Sequence, residues 1–212
     1  MLNQELAYLA GAMRDGCVYV SEGHTYQVII VQKNADWLEK VVAPIIMNQF
    51  NLVGKIRCCN GISRLVYNSK YLAYWLLSNF GCRPSVAWNT PDCIEENESE
   101  LSLTREYIRG FFDAEGCISF WKAKIKGKKY LQQRLSITQY GTTESCESLE
   151  KLERFLRSFD VYMKIIRIKT DNPRKYRLQT SDRKIISKFW TAIGSRHPDK
   201  VRKFGQYFHC LE

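Results

Sequence analysis

Apolar and polar positions change period in a set order along this chain, and the order occurs twice. A helix-period run ends at Asp15-Gly16, then gives way to alternating residues, a turn at Glu22-Gly23-His24 and a second strand at 26–33. A helical stretch follows at 35–50, where Pro44 predicts a kink because proline lacks an amide donor. A strand pair at 55–59 and 64–68 and a helix at 70–80 close the unit. The second unit opens with a helical run ending at Glu115-Gly116, then strand 117–121, a basic turn around Gly127 and strand 132–139. Helix 143–159, strands 164–169 and 175–180 and helix 183–193 complete it. Repetition at about a hundred residues predicts tandem α+β domains rather than a solenoid. The expected bounds are 1–80 and 104–212, joined by an acidic linker at 81–103.

Alternation also assigns faces. Arg134, Ser136 and Thr138 oppose Leu135 and Ile137, and Lys175, Arg177 and Gln179 oppose Tyr176 and Leu178. Arg167 and Lys169 are placed with the polar set, against Ile166 and Ile168. In the first unit Thr25, Gln27 and Ile29 form one row, with Lys33, Lys55, Arg57 and Arg64 nearby. Such polar, basic ribbons fit a DNA major groove, where Arg, Gln and Ser can reach base edges and Lys holds phosphate. Lys122 joins the DNA-binding candidates.

Charge sharpens this picture. The whole chain carries +10, but residues 1–100 hold 8 Lys and Arg against 10 Asp and Glu, and the remainder 24 against 12. The deficit in the first half comes from Asp92, Glu95, Glu96, Glu98 and Glu100, read as a linker kept away from phosphates. The C-terminal half is expected to supply most phosphate contacts. Eight scattered cysteines without a Cys-x-x-Cys pair, and only 3 His, argue against zinc. Most of these cysteines are expected to be small core residues in a reducing compartment. No secretory pattern and no membrane-length apolar run are seen, so a cytoplasmic or organelle-matrix protein is expected.

The helical runs carry the chemistry. Tyr8-Leu9-Ala10-Gly11-Ala12-Met13-Arg14-Asp15-Gly16 recurs as Ile108-Arg109-Gly110-Phe111-Phe112-Asp113-Ala114-Glu115-Gly116. Each ends in a carboxylate before a glycine, expected to close the helix in a left-handed conformation. The last turn already presents unpaired carbonyls and the negative end of the helix dipole. A carboxylate added there makes an oxygen-rich site for a hard cation, Mg²⁺ with Mn²⁺ or Ca²⁺ as substitutes. One such helix end is ordinary; two with matching flanks suggest a paired metal site. Asp15 and Glu115 are the expected ligands, aided by main-chain carbonyls near Arg14 and Ala114.

These paired motifs and their flanks resemble the LAGLIDADG homing endonucleases in their single-chain, double-motif form, and most of all the archaeal intron-encoded enzymes. The resemblance implies two pseudo-symmetric αββαββα domains, motif helices packed at the domain interface, and curved antiparallel sheets forming a saddle on double-stranded DNA. It implies a monomer that makes a staggered cut across the minor groove. It places Gln32 and Gln139 where water is ordered around the scissile phosphates. It also implies a basic residue near the closing helix: Lys70 in the first half, and Lys184, Arg183 or Lys122 in the second, Lys184 being preferred. Arg14 departs from the pattern, which usually has a small residue there, as at Ala114. The alternatives are an RNA-binding intron splicing cofactor (maturase) and a DNA-binding protein without cleavage; the retained acids favour the nuclease.

Overall fold

The computed structural model describes the backbone of residues 2–21, 25–81, 90–125, 128–140, 146–168 and 175–209 and, apart from 125, 128–130 and 209, their side chains. The chain begins with α1 (Gln4–Ala12) and a 3-10 turn at Met13–Asp15, followed by β1 (Gly16–Val20) and β2 (Tyr26–Gln32). Asn3 caps α1 through its side chain, accepting from the Leu6 amide. Next come α2 (Ala35–Trp37), a π-helical stretch at Leu38–Val42, and α3 (Ala43–Phe50). The widened stretch directly precedes Pro44, giving its ring room against the preceding turn. β3 (Lys55–Cys59), β4 (Ile62–Tyr67) and α4 (Lys70–Phe80) complete the first half.

After α5 (Asp92–Glu95), the second half runs α6 (Leu101–Glu115), β5 (Gly116–Ile125), β6 (Lys128–Tyr140), α7 (Glu147–Arg157), β7 (Lys164–Ile168), β8 (Lys175–Thr180), α8 (Arg183–Ala192) and α9 (Pro198–His209). Each half forms a four-stranded antiparallel sheet of the same order, β1-β2-β4-β3 and β5-β6-β8-β7. Each sheet buries one face against helices. Val28, Ile30 and Leu65 line the first, and Leu135, Ile137 and Leu178 the second. This is the α+β arrangement expected from the repeat.

Two elements lay outside the expectation. The acidic stretch carries α5 and packs on α7, where Glu95 and Glu147 pair with Lys151, and Glu98 with Arg154. Helix α9 was missed altogether, although Pro198 at its start and apolar Val201, Phe204 and Phe208 at helical spacing signal it. Phe204 stacks on Trp190 at 4.4 Å between ring centroids and is fully buried.

The two halves meet through α1 and α6, and every residue from Leu6 to Ala12 is buried. A Cβ on Gly11 would sit 2.2 Å from the Tyr107 carbonyl oxygen, and one on Gly110 would sit 2.0 Å from that of Tyr8. The helices therefore touch backbone to backbone, and Arg14 does not hold them apart. Gly16 and Gly116 correct the expected left-handed closure: their φ values are −114° and −81°, in extended backbone. Crowding favours glycine there instead: a Cβ on Gly116 would strike the Phe112 ring at 2.0 Å and the Phe112 carbonyl oxygen at 2.5 Å, and one on Gly16 would have to push aside the end of the Met13 side chain at 2.5 Å.

Gly110→Ala should accordingly destabilise the protein by about 3 kcal/mol, since backbone blocks the new methyl. Gly205→Ala on α9 meets nothing within 4 Å. It should instead add about 0.5–1 kcal/mol through helix propensity. Urea denaturation of both variants checks the pair; equal effects would contradict the close contact.

Candidate active site and nucleic-acid interface

The close helix pair delivers its two acids to one place. Asp15 ends the 3-10 turn before β1, and Glu115 is the last residue of α6 before β5. Burial pushes the Asp15 carboxyl up to about 8, with a further upward push from the charge on Glu115. Lys200, Arg14 and a hydrogen bond from Gln32 oppose that shift. Gln32 Nε2 donates to Asp15 Oδ2 at 2.6 Å, and the Lys33 amide donates to Gln32 Oε1 at 2.8 Å. Gln139, its counterpart, is buried and accepts from Arg14 Nη2, while its own Nε2 donates to the Thr138 carbonyl at 2.9 Å. The Arg14 guanidinium lies over the Phe111 ring, 5.1 Å from its centroid.

Beneath the acids runs a polar network that sequence reasoning did not find. Asp113 is fully buried and accepts from Tyr8 Oη at 2.6 Å, from Ser195 Oγ and from the Arg196 amide at 2.8 Å. Burial raises its pKa. Trp37 Nε1 donates to Tyr8 Oη at 2.9 Å, which ties α2 into the network. Arg196 bridges Glu5 of α1, at 3.0 Å, and Glu106 of α6, at 2.7 Å. Lys200 Nζ donates to the carbonyls of Phe112, which also accepts from the Gly116 amide, and of Asp113, near the end of α6. Burial lowers the Lys200 pKa to about 8, against the pull of Asp113, Asp15 and Glu115. Lys200 is thus a cation beside the acidic pair; the sequence signals its helix but not the return of that helix to the interface.

The basic residues expected to assist lie elsewhere. Lys70 Nζ is 5.5 Å from the centroid of Tyr26, at the opposite end of β2 from Gln32. At about 3.3 Å per residue, that is roughly 20 Å of strand. Lys184 is the second residue of α8, where its amide donates to Asp182 Oδ1, and it lines a groove with Phe159, Ser187 and Thr191. Arg183 lines the same groove. Neither Lys70 nor Lys184 is brought to the acids.

Strand register fixes the outward sheet faces. On the first sheet Gln27 and Ile29 pair with Tyr19 and Cys17, and Arg64 pairs with Arg57, so they share a face with Lys55; Thr25 and Lys33 are exposed at the ends of β2. On the second, Arg134, Ser136, Thr138, Lys175, Arg177 and Gln179 share a face, and Arg177 Nε reaches Thr138 Oγ1 at 3.4 Å. Two assignments need correction. Arg167 pairs with Tyr176, whereas Lys164 and Ile166 pair with Gln179 and Arg177, so Arg167 is on the helix side. The run Ile165-Ile166-Arg167-Ile168 offers an isoleucine to the core in either parity, and pairing with β8 decides between them. Lys122 pairs with Leu131 and shares its side with Phe120, which stacks on Tyr207. Lys169 and His24 lie outside the described residues.

Lys164 and Trp121 are outward residues that the sequence reading passed over. Trp121 is exposed, with the Arg134 guanidinium 5.3 Å from its ring centroid. The cysteines also differ from expectation: of the described ones only Cys146 is buried, and Cys58, Cys59 and Cys117 are exposed.

A helix pair presenting two acids between two basic antiparallel sheets is the architecture of a double-motif LAGLIDADG protein, and the LAGLIDADG endonuclease family model matches residues 108–199. The homing endonuclease I-ApeI of Aeropyrum pernix is 31% identical over 207 residues, a match spanning 95% of this chain and 86% of that protein. The chain belongs to the LAGLIDADG homing endonucleases and is a DNA endonuclease. Its fold is similar to that of I-DmoI in complex with DNA and Ca, at a TM-score of 0.63 and 21% identity, covering 96% of this chain and 97% of that one. The complex of I-DmoI with DNA and Mn gives a TM-score of 0.61 at 22% identity, covering 92% and 98%.

His197 provides a test of how the C-terminal segment is seated. It stacks on Trp37 at 5.7 Å, and burial together with Lys200 lowers its pKa from 6.5 to about 4. The folded state thus binds this proton less readily than the unfolded chain. Its contribution is complete above pH 6.5 and is lost as pH falls toward 4, about 3 kcal/mol for the full shift and about 2 kcal/mol once solvent screening is allowed for. His197→Phe keeps a stacking ring without the titration. The fall in melting temperature between pH 7 and pH 4.5 should be smaller in the variant; an identical fall would contradict the buried, neutral imidazole.

Proposed function

We propose that Asp15 and Glu115 are the metal-binding acids of this endonuclease, each serving mainly one strand of a staggered double-strand break. The observation that carries this reading is the backbone contact of α1 and α6 at Gly11 and Gly110, which brings the acids ending the two motifs together, so that the charge on Glu115 acts on Asp15. Among the described residues no group of three or more His, Cys, Asp or Glu could hold a metal alone. Asp15, whose negative charge is opposed by burial and by Glu115 beside it, instead fits with Glu115 a divalent ion completed by the Arg14 and Ala114 carbonyls, DNA phosphate oxygens and water. Mg²⁺ suits this donor set, with Mn²⁺ or Ca²⁺ as substitutes. When bound, the ion supplies charge neutralisation at the phosphate and an acidified water.

The chain's own residues do the rest. Gln32 fixes the Asp15 carboxylate by donating to it, because an amide cannot serve as a strong base. Lys200 holds the last carbonyls of α6 and so orients Glu115. The outward faces, with Gln27, Arg57, Arg64, Arg134, Arg177 and Gln179, supply groove and phosphate contacts. Arg57 stands directly across from Arg64. Like charges so placed cost folding energy, and a polyanion offsets that cost.

Both acids come from one chain, so a monomer suffices, built as halves at 1–80 and 104–212 with 81–103 between them. No described helix is long and apolar enough to cross a membrane. Exposed free thiols on Cys58, Cys59 and Cys117 suit a reducing cytoplasm or organelle matrix.

Asp15→Asn and Glu115→Gln should each retain DNA binding, measured by gel shift in Ca²⁺. Each should lower double-strand cleavage in Mg²⁺ at least about a hundredfold, the loss of several kcal/mol of charge stabilisation. Linear product at the wild-type rate from either variant would overturn the assignment.

A further inference from the structure

The two halves of the site differ at one motif position, and the difference reaches the glutamines. In the first half Gln32 is bonded directly to its acid, Asp15. In the second, both polar ends of Gln139 are taken up elsewhere: Oε1 accepts from Arg14 and Nε2 donates to the Thr138 carbonyl. Arg14 occupies the place that Ala114 holds in the other copy. Alanine has no side chain to reach across, so the second motif cannot engage Gln32 in return. Arg14 is anchored over Phe111 at 5.1 Å, and its charge acts on both Asp15 and Glu115. The arrangement joins the two halves but gives each acid a different partner set.

We propose that Arg14 is a positioning residue that withholds Gln139 from Glu115, so that the two strands are cut in a fixed order. The strand served by Asp15 and Gln32 is cut first, and a nicked duplex is the intermediate. A carboxylate with its amide partner in place is preorganised, whereas one without it must be oriented during the reaction. One oriented hydrogen bond corresponds to about fivefold in rate. This inference rests on the assignment of Asp15 and Glu115 as the cutting acids.

The test is single-turnover cleavage, in Mg²⁺, of a duplex target carrying a different dye on each strand. Wild type should cut one strand about fivefold faster or more, and Asp15→Asn should abolish that faster cut. In Arg14→Met, which keeps packing over Phe111, the slower strand should speed up until the two rates are within about twofold. Arg14→Lys, which keeps the charge but not the planar fork, should also lose most of the bias and serves if the methionine variant fails to fold. Equal strand rates in wild type, or an unchanged bias in a folded Arg14 variant, would overturn the proposal. A wild-type protein that cuts neither strand would instead overturn the cleavage assignment.

Discussion

Contact between the backbones of α1 and α6 at Gly11 and Gly110 governs the rest of the molecule. A side chain at either glycine would run into carbonyl oxygen, so the helices have one depth of approach. α6 runs directly into β5 at Gly116, and α1 reaches β1 at Gly16 through the 3-10 turn, which fixes where each sheet begins relative to the helix pair. The acids at the helix ends inherit this geometry. Neither Asp15 nor Glu115 could be placed so near a like charge by a flexible loop, because repulsion and lost hydration would separate them.

The fold holds this unfavourable pair with charges drawn from both halves. Arg14 reaches from the first motif into the second half, while Lys200 arrives from the far end of the chain. The segment from Ile193 to Lys200 works as a clasp. It bonds Arg109, Asp113, Glu5 and Glu106, and Asp199 accepts from Asn34 at 2.9 Å. A binding site paid for in local stability is expected where function and folding compete. The paired Arg57 and Arg64 on the outward sheet face follow the same logic, with phosphate as the absent partner.

Much of this was legible in the sequence. The twofold order of elements, the helix-end acids and the polar rows on β2, β6 and β8 could be read because each rests on a local period. Register could not be read where a strand is apolar in both parities, and Arg167 fell on the helix side for that reason. Lys70 and Lys184 follow from their place in the chain, but Lys70 lies at the opposite end of β2 from Gln32, and Lys184 lines a groove with Phe159, Ser187 and Thr191 that includes neither acid. Lys200 went unnoticed because its role depends on a helix returning to the interface, a long-range contact that no local pattern reports. The glycines after the acids were correctly singled out but for the wrong physical reason, crowding rather than left-handed backbone.

The account stands on Asp15 and Glu115 sharing one cation-binding centre under a single duplex. Its most direct test is the anomalous scattering of Mn²⁺ in a crystal of the protein with its cleavable target DNA. Peaks within bonding distance of both carboxylates, against the backbone phosphates, are the predicted result. Manganese seated away from either acid, or carboxylates splayed apart around empty density, would contradict it.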